Sequence, residues 1–241
     1  MDASERTAMR DRIIVALDHP DLGSALACAR SLVGRAKWVK VGMTLFYREG
    51  PGAVAAMRDL GFEVFVDLKL HDIPHQVEGA AAALGALGAG IITVHASGGA
   101  DMMEAAVRGA TAGAAGAGVP RPAVIAITVL TSMDADALAS VGVSDTASDQ
   151  AMGLAALART AGVDGVVCSP REAAEMRALL GPDALVVTPG IRPAGSDADD
   201  QARIATAGAA FAAGASYLVI GRPITGAKDP AAAFEAIVNN E

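Results

Sequence analysis

The segment Phe65-Val66-Asp67-Leu68-Lys69-Leu70-His71-Asp72-Ile73-Pro74 places three charged groups in, and just beyond, an apolar strand-like run. Side chains of a strand alternate between its faces. Phe65, Asp67 and Lys69 therefore share one face, and Val64, Val66 and Leu68 share the other. The second face is wholly aliphatic, as expected of a strand covered by helices. The first ends in a carboxylate beside an ammonium. Asp72 follows where Pro74 forces a turn or a helix start. A buried charge that is neither paired nor used is costly, so these groups either neutralise one another or form a site. The pattern Asp-x-Lys-x-x-Asp at the carboxyl end of a strand favours a site. An ammonium held there can donate a proton and stabilise charge as it develops.

Eight short apolar runs frame this segment, at residues 13–17, 38–41, 63–69, 91–94, 123–127, 165–168, 185–187 and 217–220. Helical stretches are expected between and after them, at 21–32, 45–60 with a break at Gly50-Pro51-Gly52, 77–87, 101–111, 151–160, 170–180, 204–213 and 230–238. The stretch 109–119 reads as a frayed helix end and loop. Residues 128–150, rich in Ser, Thr and Asp, read as a long connection of the kind that carries function. Strands alternating with helices predict a parallel sheet with crossover helices. Eight such units in 241 residues predict an α/β fold, a closed (β/α)8 TIM barrel forming a single domain over 1–241. An open doubly wound sheet is the alternative. The first strand, however, ends in Asp18-His19-Pro20, without the Gly-rich turn usual in that fold.

Sites in such barrels lie at the carboxyl ends of the strands. Read in order, those ends carry Asp18, Lys40, Asp67 with Lys69 and Asp72, His95, Arg192, and Gly221-Arg222. Acids and lysines alternate on the early strands. A basic, glycine-containing rim follows the last two, where backbone N–H groups and forked guanidinium groups can hold a phosphate. His71 and His75 are four apart, but Pro74 opposes a regular helix through both and no third metal ligand is evident. His95 could line the site or be a hydrogen-bonded core residue. Cys168 reads as core, because no His partner is identifiable.

Composition narrows the class. The chain is 52% hydrophobic and 3% aromatic, so its core must be built from Val, Ile, Leu and Ala. A formal charge of −8 argues against a general nucleic-acid or membrane-surface binder. Two distant cysteines, Cys28 and Cys168, form no disulfide framework. The polar residues 1–12 do not read as a signal peptide, and no apolar run approaches the ~18 residues of a membrane span. A soluble cytoplasmic protein is expected.

Taken together, Asp67-Leu68-Lys69-Leu70-His71-Asp72-Ile73-Pro74, Val39-Lys40-Val41-Gly42-Met43, Leu130-Thr131-Ser132, Thr188-Pro189-Gly190-Ile191-Arg192 and Ile220-Gly221-Arg222-Pro223 resemble, in order and spacing, the bacterial-type orotidine 5'-phosphate decarboxylases. The resemblance runs from Ile13 to about Asn239. It implies a carboxy-lyase that converts orotidine 5'-phosphate to UMP and CO2, the last step of pyrimidine nucleotide synthesis. It implies no metal, no organic cofactor, and a homodimer with sites at the interface. By resemblance, Lys69 protonates C6, Asp67 faces the substrate carboxylate, and Asp72 reaches into the partner's site. Lys40 closes the charge array and binds ribose with Asp18. Thr131 and Ser132 meet the base or its loop, and Arg192, Gln201, Gly221 and Arg222 hold the phosphate end. Relatives often carry Asn-Thr where this chain has His75-Gln76, which alters a ribose contact. Two rivals remain: a Mg2+-dependent keto-hexulose phosphate lyase that shares Asp-x-Lys-x-x-Asp, and a non-catalytic barrel that binds a phosphate ligand.

Overall fold

The apolar runs pair in chain order. Strands β1 (Ile13–Ala16), β2 (Trp38–Gly42), β3 (Glu63–Leu70), β4 (Ile91–His95), β5 (Ala123–Ile127), β6 (Gly165–Val167), β7 (Leu185–Pro189) and β8 (Tyr217–Ile220) form a closed parallel barrel, with β8 returning to β1. This is the expected (β/α)8 TIM barrel, seen in a computed structural model that describes residues 3–191 and 205–239. Around it lie α1 (Ala3–Arg10), α2 (Leu22–Leu32), α3 (Met43–Glu49), α4 (Pro51–Asp59), α5 (Pro74–Ala86), α6 (Ala100–Ala117), α7 (Ala135–Ser140), α8 (Ala147–Thr160), α9 (Ala173–Leu180), α10 (Ala207–Ala212), α11 (Arg222–Thr225) and α12 (Pro230–Asn239). No helix among the described residues is long and apolar enough to cross a membrane.

Strand alternation divides the core in two. Val39, Val41, Val64, Val66, Ile92 and Val94 point outward and pack under the helices. Ile14, Trp38, Phe65, Ile91, Ile125, Val187 and Val219 fill the lumen. Trp38 meets Tyr217 edge-on at 5.4 Å, so two of the chain's few aromatics lie together inside the barrel. Lumen packing supports the strand ends above it, where the polar residues stand.

Three local expectations change. The stretch 109–119 is not a frayed end: α6 continues to Ala117 and stops at Gly118, which adopts φ 65°. Its glycines are contact points, because a Cβ at Gly109 or Gly113 would overlap the Glu78 or Ala82 carbonyl of α5. Small residues bring these two helices together, and tertiary packing overrides the weak helix propensity of glycine. The connection 128–150 is interrupted by α7, and α8 begins before residue 151. Asp134 accepts from the Ala137 amide and Thr146 from the Asp149 amide, so each caps a helix. A short α11 follows Gly221 directly. The break at Gly50 is as expected, with φ 64° between α3 and α4.

Candidate active site

The site grows from an irregularity in β3. Val66 pairs with Ile92, but the next pair is Leu70 with Val94. Four residue steps on β3 therefore face two on β4, so β3 carries two extra residues. A one-residue slip would turn every later side chain to the opposite face. An insertion of two preserves the alternation, so Leu70 still packs outward and Lys69 stays on the lumen side. Its backbone is strained: Lys69 has φ 53°, alone among the described non-glycine residues in having a positive φ. That conformation costs an L-residue roughly 1–2 kcal/mol.

Contacts around the bulge account for its persistence. Lys69 Nζ lies 2.9 Å from both Asp67 oxygens. The Lys69 amide donates to Thr93 Oγ1 at 2.8 Å, and that hydroxyl donates to Asp67 Oδ1 at 3.0 Å. Lys40, from β2, donates to Asp18 at 2.8 Å and lies 3.6 Å from Asp67 Oδ2. Charges thus alternate along Asp18, Lys40, Asp67 and Lys69. Gly42 makes room for this array, since a Cβ there would sit 2.8 Å from Asp18 Oδ1 and 3.0 Å from Lys40 Nζ.

Electrostatics hold the array charged. Burial alone would raise the Asp67 carboxyl, but Lys40 and Lys69, helped by the Thr93 hydrogen bond, hold it below the usual carboxylate range. Burial would likewise lower the Lys40 ammonium, but Asp67 and Asp18 outweigh it and keep it above the ordinary lysine value.

The array opens on a cavity of about 440 Å³ at the carboxyl ends of the strands. Asp18, Lys40, Asp67 and Lys69 form one side. Ile127, Val129, Val167 and Pro189 form an apolar side, and Gly190, Gly221, Arg222 and Thr225 lie at the β7–β8 rim. One wall can thus present fixed charge to a reacting group while the other keeps water away from it.

The family model described as "Orotidine 5'-phosphate decarboxylase / HUMPS family" matches residues 11–237. The chain belongs to that family. It is 52% identical over 227 residues to the orotidine 5'-phosphate decarboxylase of Anaeromyxobacter sp. (strain K), covering 94% of this chain and 96% of the relative. The Moorella thermoacetica orotidine 5'-phosphate decarboxylase is 49% identical over 233 residues, with coverage of 96% and 92%. The crystal structure of the Lactobacillus acidophilus orotidine 5'-phosphate decarboxylase superposes with a TM-score of 0.84 at 40% identity, covering 94% of this chain and 97% of that one.

Against the decarboxylase pattern, the fold brings Asp18, Lys40, Asp67, Lys69, Thr131, Gly221 and Arg222 to one cavity. Asp72 is not among its lining residues. It is exposed past the end of β3, its carboxylate accepting from the Ile73 amide. Arg192 and Gln201 lie outside the described residues. Cys168 is buried and lines the cavity. His95 does not line the cavity; its ring lies 5.2 Å from that of His71. Burial, and then the neighbouring His71 and Lys69, push its pKa down. Sequence reasoning missed Thr93 and Gly42. The signal for Thr93 was a hydroxyl on the face of Ile91 within an otherwise aliphatic run; Gly42 was visible only as part of the family motif.

Proposed function

We infer that this chain, as one barrel domain, decarboxylates orotidine 5'-phosphate to UMP and CO2, the final step of de novo pyrimidine nucleotide synthesis. The alternating Asp18–Lys40–Asp67–Lys69 array at the mouth of the barrel cavity carries this reading. The phosphate end lies toward Gly221 and Arg222, with Arg192 and Gln201 assigned there by resemblance, and Lys40 and Asp18 meet the ribose. Thr131 lies beside the base. Asp67 stays ionised next to the substrate carboxylate, and this like-charge contact disappears as CO2 leaves. An interaction that is worse in the ground state than in the transition state lowers the barrier. The C–C bond breaks and its electron pair stays on C6. The Lys69 ammonium gives its proton to that carbon, and the resulting amine regains one from solvent.

The reaction as read uses no metal and no organic cofactor. The protein acts as a cytoplasmic homodimer in which Asp72 completes the partner's array. One feature supports the dimer: Asp72, exposed past the end of β3, stands clear of its own cavity.

The test is ultraviolet-monitored turnover of orotidine 5'-phosphate in excess EDTA. Rapid formation of UMP is expected from the wild type, and none from Lys69→Ala. A mixture of Lys69→Ala and Asp72→Asn chains should regain activity, since one of the two sites in a mixed dimer is intact. Undiminished turnover by Lys69→Ala would overturn the assigned proton donor. Activity on a keto-sugar phosphate that requires Mg2+ would select the lyase rival.

A further inference from the structure

We propose that Thr93 is a positioning residue, its one hydroxyl fixing both the main chain of Lys69 and the carboxylate of Asp67. The inference rests on the decarboxylase reading for its kinetic consequence but not for its geometry. The two extra residues of β3 fall between Val66 and Leu70, where the ladder to β4 is interrupted. Backbone groups in such a bulge lose their regular partners and need others. The Lys69 N–H finds Thr93 Oγ1. Having accepted that bond, the hydroxyl directs its own proton to Asp67 Oδ1. A single side chain therefore holds Lys69 in its left-handed backbone conformation and orients the carboxylate that receives Lys69 Nζ. Thr93 has no exposed surface, so solvent has no ready access to take over either bond. Its neighbours on the lumen face, Ile91 and Ile125, are aliphatic, and packing alone would be served by another β-branched apolar residue. The hydroxyl is what distinguishes the position.

Thr93→Val keeps the shape and removes both bonds; Thr93→Ser keeps the bonds and removes a methyl group. Steady-state kinetics, UMP affinity by calorimetry and amide hydrogen exchange at Lys69 are compared with the wild type. In Thr93→Val, kcat is expected to fall about 10- to 100-fold, the scale of a lost hydrogen bond to a charged group. UMP affinity should stay within about twofold, because the phosphate and ribose contacts are untouched. Thr93→Ser should recover kcat to within a few-fold, and the Lys69 amide should exchange faster in the Val variant alone. Wild-type kcat in Thr93→Val, or a Ser variant as impaired as the Val variant, would overturn the proposal. If the wild type shows no turnover, the decarboxylase reading fails, and Lys69 exchange still decides the positioning role. Should the Val variant not fold, the wild type suffices: a Lys69 amide that exchanges as fast as an unbonded one would overturn the proposal.

Discussion

Asp67→Asn keeps the shape of a buried side chain and removes the negative charge between two ammonium groups. In the wild type, Asp18, Lys40, Asp67 and Lys69 sum to zero; in the variant one positive charge is left over. Asp67 lies 2.9 Å from Lys69 Nζ and 3.6 Å from Lys40 Nζ. At an effective dielectric near 20, each contact is worth about 5 kcal/mol before desolvation. Desolvation offsets much of that, and removing one member of a buried pair costs about 3–5 kcal/mol net. The Lys69 side chain is 27% exposed and can rehydrate, so the expected loss at pH 7 is the lower figure, about 3 kcal/mol.

The pH dependence follows from the directions of the shifts. Asp67 has a depressed pKa in the folded state, so its contribution is present above the unfolded carboxylate pKa and is lost as pH falls through the folded value. Lys40 has a raised pKa, so its contribution is present below the unfolded lysine pKa and is lost as pH rises through the folded value. In the Asn variant, burial acts on Lys40 with only Asp18 opposing it. Its pKa drops, and the penalty is relieved as the amine loses its proton. The stability gap between the two proteins should therefore be widest near neutral pH. It should narrow below about pH 4 and toward about pH 10. Urea unfolding at fixed protein concentration, followed by the fluorescence of the chain's one tryptophan, Trp38 in the lumen, measures this gap. An Asn variant as stable as the wild type at pH 7, or a gap that does not change between pH 7 and 10, would refute the reasoning.

Gly42→Ala puts a methyl group against Asp18 and Lys40. The more exposed Asp18 should yield first, lowering kcat/KM about 10- to 100-fold, mainly through KM, in steady-state assays. Gly113→Ala drives a Cβ into the Ala82 backbone, and α5 and α6 must part. Thermal melting should show a loss of about 1–3 kcal/mol with turnover per folded molecule unchanged. Gly116→Ala, three residues on in the same helix, meets open space and should instead raise the melting temperature, by about 0.5–1 kcal/mol of helix stabilisation.

Residue order alone determined the eightfold strand–helix alternation, the outward aliphatic faces and the lumen side of Asp67 and Lys69. Each is a local property, carried by side-chain type and a period of two or 3.6 residues. It also placed Asp18, Lys40, Gly221 and Arg222 at strand ends, because a parallel barrel gathers every such end at one mouth. The tertiary structure decided the rest. The two-residue bulge of β3 exists only in relation to the register of β4. Thr93 gains its role because the interrupted ladder leaves the Lys69 amide to it. Residues 109–117 remain helical because a second helix approaches their glycines. Local sequence sets which face a residue occupies; closing the ring sets which neighbour it meets there, and at β3 that closure brings the Lys69 ammonium, the Asp67 carboxylate and the Thr93 hydroxyl together.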